Sequence, residues 1–534
     1  MAQSNFTSYK HYKGNRHFDV IIIGSGISGI ALGAILSKHG KKVLILEQHY
    51  TPGGYTHTFK RNDYEWDVGV HYVGEVGKQT LLKTVYDYVS ETPIQWADMG
   101  EVYDRVFFGT ESYEFRKGKK QFTEYFTQLF PEEKASIEKY VQLLSVSGGA
   151  ARWFYAEKAV PKWLSFLAGG IMRKSYLKFA SRTTAEVMNE LFTNEKLKAV
   201  LCAQFGDYGL PPTESSFAMH AVVASHYLYG GFYPVGGSAA FFDHIAPVTK
   251  NFGGEILIRA RVKQIKIESN TAKGVIMEDG KEFTANQIIS TVGVVNTFQH
   301  LLPEKVVKEN AYTEKLKSTK PSLTYHCLYV GLKHTAEELQ LPKSNFWIFP
   351  EVYDHTKNLY DYINRKTDKL PGVYISFPAA KDPDFQKRFP GRSTIEVITL
   401  TNFEQVQQWN GTRWMHRGDD YVAFKKKISE QLLEYLYTYV PSVKGKIDYT
   451  ELSTPLSAKH FANYQYGEMY GIDHDPARFE NRYLKPQTDI RNFYLAGQDV
   501  VSCGVGGALM SAVLCGSAML GKNMINEIIS SAKK

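Results

Sequence analysis

Residues 18–47, "FDVIIIGSGISGIALGAILSKHGKKVLILE", decide the fold. Residues 18–23 form an apolar run that stops at a glycine, as expected of a strand buried on both faces. Gly24-Ser25-Gly26-Ile27-Ser28-Gly29 follows, then a helical pattern closed by Gly40, then a second apolar strand ending in Glu47. Strand, glycine turn, helix and strand within about 30 residues is the setting a GxGxxG motif needs. Gly24 permits the tight turn, Gly26 lets the backbone approach a pyrophosphate, and Gly29 lets helix and strand pack closely. Ser25, Ile27 and Ser28 complete the turn, and the free N–H groups of the helix start attract phosphate. Glu47, with Gln48 beside it, is placed to accept hydrogen bonds from ribose hydroxyls. The chain is therefore an α/β protein with a Rossmann-like dinucleotide-binding domain.

At 534 residues the chain exceeds what one core supports, so further domains are expected. A charged fraction of 22% against 43% hydrophobic residues excludes disorder as the main state. The net charge of +8 comes with no basic repeat, so no nucleic-acid partner is expected. Cys202, Cys327, Cys503 and Cys515 form no CxxC and no metal-ligand spacing, and read as reduced thiols. Residues 1–17 are polar without an apolar core segment, which predicts a mobile tail and a cytoplasmic protein.

Pro131 suits the first turn of a helix, and Thr183 with Glu186 reads as a capping box. Residues 80–227 thus read as mostly helical. Residues 253–269 alternate with period two, as one half-buried strand does, and 274–277 and 281–284 flank a turn at Glu278-Asp279-Gly280. Residues 322–332, 373–377 and 392–403 read as strands of a second sheet, and 420–440 as a helix.

Directly after Glu47 come "QHYTPGGYTHTF" and "YEWDVGVHYVG". This arrangement resembles the glutathione-reductase-type flavoproteins, in which a Gly-Gly turn, here Gly53 and Gly54 with Thr58, packs against the pyrophosphate and ribityl of FAD. In such proteins a valine backbone at the position of Val262 meets the adenine. No second GxGxxG and no redox CxxC is present, so electrons must come from an external donor or go to an external acceptor. The blocks "LEQHYTPGGYTHTF", "GVHYVG", "SFAMHAVV", "GGFYPVGGS", "KDPDFQKRFPGRST", "YGIDHDPARF" and "NFYLAGQDVVSCGVGGAL" occur in order across residues 18–522. Together they resemble the retinol saturases, part of the carotene isomerase and phytoene desaturase group.

The resemblance implies noncovalent FAD in a glutathione-reductase-type domain and an inserted α+β substrate domain. It implies an apolar polyene or lipid substrate lying against the flavin, with one carbon–carbon double bond reduced by hydride from flavin N5. Tyr233, in "GGFYPVGGS", and His71, in "GVHY", are the candidate proton donors. Desaturation or cis–trans isomerisation of a carotenoid is the alternative chemistry. A lipid-binding escort, like the prenyl-binding dissociation inhibitors, is the non-enzymatic one. The division expected is a tail at 1–17, FAD-binding parts at 18–80, 230–300 and 456–534, a mostly helical, membrane-facing insertion at 81–229, and a substrate domain at 301–455.

Two segments invite a membrane reading. Residues 152–182 hold seven Lys or Arg against one Glu, with Trp153, Phe154, Tyr155, Trp163, Phe166 and Leu167 among them, which predicts peripheral, salt-sensitive binding to an anionic membrane surface. Residues 500–521 carry no charge, long enough in principle to cross a bilayer. Thirteen of these 22 are Gly, Ala, Ser or Cys, so the run reads instead as a buried helix that follows a strand and a turn. On that reading Gly497 and Asp499 meet the flavin side chain, and the helix start near Gly506, Gly507 and Ala508 points its N–H groups at the flavin ring.

Overall fold

The computed structural model describes residues 5–533. His17–Ile23 lies between Val43–Leu46 and Glu282–Ser290, parallel to both. Its side chains alternate: Val20 and Ile22 join the apolar cluster of helix Ile27–Lys38, while Ile21 and Ile23 join the cluster on the opposite face. A strand covered on both sides can afford apolar residues at every position, which is why the run is continuous. Phe493–Leu495 pairs parallel with the end of Glu282–Ser290, bringing the last tenth of the chain into the sheet that its first strand founds.

Residues 253–269 are not the single strand expected. Glu255–Ile258 pairs parallel with Val43–Leu46, and Val262–Glu268 turns away to pair antiparallel with Thr271–Met277. The break is at Arg259, which adopts a left-handed φ of 53°, and Ala260, whose N–H donates to the carbonyl of Glu47. The described part of the expected tail is also fixed. Thr7–Ser8 adds a strand beside Leu257 and Ile258, and Phe6 meets Phe242 edge-on at 6.0 Å. Neither contact could be read from a polar N-terminus, because the partners lie some 240 residues away.

The uncharged C-terminal run becomes helix Gly504–Leu520. It begins at Gly504, earlier than the expected start near Gly506. The helix crosses Ile27–Lys38 closely: Ser511 Oγ and Ser28 Oγ are 2.9 Å apart, and a Cβ on Gly516 would come 3.1 Å from Ile35. Among the described residues no single helix is long and apolar enough to cross a membrane; Gly504–Leu520 and Met524–Ser531 are bent by 110°.

The second sheet runs Ile447–Ser453, Thr324–Leu332, Ser393–Thr401, Val373–Ser376, Asn345–Phe349, Val102–Phe108, Glu111–Arg116. Its last two strands come from the block read as a helical insertion. Asp104 and Arg105 interrupt the apolar pattern of that hairpin, so periodicity does not reveal it, yet it pairs parallel with Asn345–Phe349. Residues 81–229 and 301–455 therefore share a sheet and an apolar cluster. The long helices Lys134–Ala159 and Lys162–Ala180 form a hairpin, and Thr183 caps the next helix in a capping box with Glu186.

Candidate active site

A cavity of about 1310 Å³ lies between the two sheets. Gly24, Ser25, Gly26, Ile27 and Ser28 line one end of it, facing Glu47, Gln48, Gly53 and Gly54. Each glycine is needed for a different reason. Gly24 has φ of 100°, and a Cβ on Gly29 would come within 2.1 Å of the Gly24 carbonyl oxygen. A Cβ on Gly26 would meet nothing within 4 Å, so that face of the turn is open for a ligand's approach. Gly54 sits against the same turn, its hypothetical Cβ 3.1 Å from Gly26 Cα. Glu47 Oε2 accepts from the N–H and hydroxyl of Ser25 at 3.0 and 2.6 Å, and Oε1 from the His49 N–H at 2.8 Å. These donors hold the carboxylate at the wall, with lone pairs left toward the cavity. Val262 lines the cavity where the meander begins.

At the other chain end Gly497, Gly504, Val505 and Ala508 reach the wall. Gly29, Thr58, Asp499, Gly506 and Gly507 do not. Because the helix starts at Gly504, its first turn presents Gly504 and Val505 where Gly506 and Gly507 were expected; Gly506 instead packs on Leu82 and Gly507 on Ser502. Asp499 is 3% exposed, and its carboxylate accepts from the N–H groups of Val294, at 2.8 Å, and Ile472, at 3.2 Å. It braces two loops behind the wall rather than reaching into the cavity.

The "YGIDHDPARF" block, which had no assigned role, explains how this loop is held. Arg478 donates to the carbonyls of Ile472, Asp473, Gln498 and Asp499 at 2.7–3.4 Å. His474 Nε2 accepts from the Cys503 N–H at 3.0 Å, one residue before the helix begins. Gly497 donates to Ser511 Oγ at 2.6 Å, so helix, turn and first glycine loop are tied through the Ser28–Ser511 contact.

His71 lines the cavity; Tyr233 does not. The Tyr233 hydroxyl donates to the Asp67 carboxylate, which also accepts from the Ser238 N–H and hydroxyl at 2.8 and 2.6 Å. Burial, with Glu396 nearby, pushes Asp67 up to about 6. His71 Nδ1 lies 2.8 Å from Glu396 Oε2, and the His71 carbonyl accepts from Lys381 at 2.7 Å. Lys381 also donates to Asn345 and Ser376, at 2.6 and 2.8 Å. Burial pushes Glu396 up to about 8 and His71 down to about 3, so both are neutral near pH 7. Glu396 and Lys381 are absent from the sequence-derived set. A signal existed: Glu396 is a lone acid inside "STIEVITLT", and a charge in a strand buried on both faces needs a purpose.

Beyond His71 the wall turns apolar. Tyr325 and Tyr329 on one strand, with Ile398 on its neighbour, face Phe59 and Ala458. The opening carries Trp414, Met415 and Val422 with Arg417 and Lys425. The 152–182 hairpin contributes nothing to this wall. Its outer face presents Trp163, Phe166, Leu167 and Ile171, between 65% and 83% exposed, with Trp153 nearby. Its cations are fewer than the sequence suggests. Lys158 and Arg173 are buried, donating to the carbonyls of Val500 and Phe479, while Lys162 pairs with Asp489 and Arg182 with Glu190.

Comparison with known proteins adds to this geometry. Residues 27–380 match the family model described as flavin containing amine oxidoreductase. The chain is 35% identical to the all-trans-retinol 13,14-reductase of Danio rerio, over 97% of its own length and 88% of that relative. It is 34% identical to the Homo sapiens protein of the same name, over 96% and 87%. Among solved structures, putrescine oxidase matches with a TM-score of 0.60 at 14% identity, over 95% of this chain and 99% of that one, a likeness of fold.

Proposed function

The chain belongs to the all-trans-retinol 13,14-reductase family, within the flavin-containing amine oxidoreductases, and from that premise we propose how its residues divide the work. It is an FAD-dependent oxidoreductase that reduces a carbon–carbon double bond of an apolar polyene. The open face of Gly26, the positive φ of Gly24 and the Gly53–Gly54 turn fit a pyrophosphate, and Glu47 fits the adenosine ribose. Gly504 and Val505, at a helix start on the cavity wall, offer N–H groups and positive dipole that would favour an electron-rich flavin ring. When bound, FAD supplies the two electrons of the reduction, as hydride from N5 to one alkene carbon.

The protein's own part is to hold the polyene, exclude water and deliver one proton. The aromatic wall of Phe59, Tyr325 and Tyr329 accepts a flat apolar chain, and His71 gives its Nε2 proton to the carbon beside the one reduced. Tyr233 and Asp67 hold the loop behind His71. All-trans-retinol is the substrate class this reading favours, with electrons from an external donor. The observation that carries it is one cavity in which the glycine cradle, His71 and the aromatic wall meet. The test is anaerobic: protein loaded with FAD and photoreduced is mixed with all-trans-retinol. Return of the oxidised flavin spectrum in proportion to retinol supports the proposal; a spectrum that stays reduced overturns it.

The 152–182 hairpin is the surface on which the protein meets a membrane, the reservoir of such a substrate. Four exposed apolar residues on one helix and only a few free cations make this contact chiefly apolar. It should therefore survive salt better than the sequence suggested.

A further inference from the structure

Delivering a proton from a neutral histidine poses a problem. If His71 gave up its Nε2 proton with nothing at Nδ1 to replace it, an imidazolate would remain in a buried site. The second sheet supplies the missing proton. Glu396 stands opposite Tyr329 in the register, on the face that carries the aromatic wall, and is fully buried. Its Oε2 is 2.8 Å from His71 Nδ1, and its Oε1 has no partner among the described residues. The His71 ring is 19% exposed and Nδ1 is taken, so Nε2 is the nitrogen left to the cavity.

We infer that Glu396 is the proton source for the reduction, acting through His71: the Glu396 hydroxyl donates to Nδ1, which fixes the Nε2–H tautomer toward the substrate. In the reaction the Nε2–H bond breaks as a C–H bond forms at the alkene carbon. The Glu396 O–H bond breaks as Nδ1–H forms. Histidine stays neutral throughout, and the residual negative charge rests on Glu396. Lys381, anchored on the His71 carbonyl, Asn345 and Ser376, stands close enough to stabilise that carboxylate. Solvent returns the proton after turnover. The groups facing Glu396 are His71 and Asp67 from the cavity loop, Lys381 from its helix, Tyr233, and Cys327, Tyr329 and Tyr374 from adjacent strands. Of these only Lys381 can carry a positive charge, and burial pushes it down to about 7, which agrees with burial holding the carboxyl protonated at neutral pH.

This inference rests on His71 as proton donor, and the experiment separates the two. In FAD-free protein, infrared difference spectra of wild type against Glu396→Gln should show a carboxylic-acid band that persists at pH 7 and disappears as pH rises through about 8. A carboxylate band at pH 6 overturns the proposal. In single turnovers of pre-reduced enzyme, Glu396→Gln should slow product formation by about 10²–10³-fold. Substrate affinity and the rate of flavin reduction should stay unchanged, and the rate should lose its dependence on pH. His71→Gln should do at least as much, and the double variant no more than His71→Gln, as expected of groups acting as a unit. If His71→Gln keeps the wild-type rate, the proton-donor reading itself is wrong. If only Glu396→Gln keeps it, the relay is wrong and His71 draws its proton elsewhere.

Discussion

Replacing Gly26 and Gly29 by alanine, one at a time, separates what the glycine turn does for the fold from what it does for the ligand. At Gly29 the new Cβ would lie 2.1 Å from the Gly24 carbonyl oxygen, where contacts under 3.0 Å essentially never occur. Helix and strand must part by about 0.9 Å, and both neighbours are backbone that cannot rotate away. Overpacking of this kind costs about 1–3 kcal/mol, so Gly29→Ala should unfold at lower denaturant even without cofactor. At Gly26 the Cβ meets no protein atom within 4 Å, and φ is −58°, ordinary for alanine. FAD-free Gly26→Ala should therefore unfold within ~0.5 kcal/mol of wild type. The methyl instead occupies the approach path of the pyrophosphate. The same ~1–3 kcal/mol then appears as a 5- to 150-fold loss of FAD affinity, roughly. Urea titrations of the FAD-free proteins and fluorescence titrations with FAD measure the two quantities. If Gly26→Ala binds FAD within about twofold of wild type, the cradle has been put on the wrong face of the turn.

Other expectations are equally specific. Ser511→Ala leaves the buried Gly497 N–H without an acceptor and should cost about 1–3 kcal/mol in urea unfolding; no change would mean the tie between chain ends is ornamental. Arg478→Met frees four buried carbonyls around the Gly497–Gly504 loop and should weaken FAD binding more than a conservative lysine does. Glu396 is raised in the folded state, so its contribution to stability is complete below about pH 4 and is lost as pH rises through about 8. Glu396→Gln should therefore flatten the pH–stability profile between pH 5 and 8, and an unaltered slope would show that the carboxyl is ionised in the native protein. Phe166→Asp with Ile171→Asp should abolish sedimentation with anionic vesicles, while Lys174→Glu with Lys178→Glu should reduce it only modestly; the opposite ranking would make the contact electrostatic.

The cofactor end was legible because it is local. Residues 18–47 carry strand, turn, helix and acid within one βαβ unit, and the turn's glycines act on their immediate neighbours. What was not legible depends on pairing across long separations. The hairpin Val102–Arg116 joins a sheet whose other strands begin at Thr324, and Asp104 and Arg105 disguise its period. Asp499 has the right residue type for a ribityl contact, yet its carboxylate is consumed by Val294 and Ile472, partners 205 and 27 positions away. Glu396 and His71 are 325 residues apart, and only the fold sets them in contact. Charge counting overstates the free charge of residues 152–182 for the same reason, since burial takes Lys158 and Arg173 from the surface and ion pairing neutralises Lys162 and Arg182.

The central claim is that this chain, with FAD held between its two ends, saturates a double bond of an apolar polyene. The most direct measurement is the mass of the product formed when stoichiometrically reduced protein meets all-trans-retinol in the absence of oxygen. The account predicts a gain of two hydrogens, with deuterium appearing at both saturated carbons when protein is reduced and reacted in deuterated water, because the flavin N5 hydrogen exchanges with solvent as the relay protons do. An unchanged mass or a loss of two hydrogens would contradict it and assign the cavity to isomerisation or desaturation.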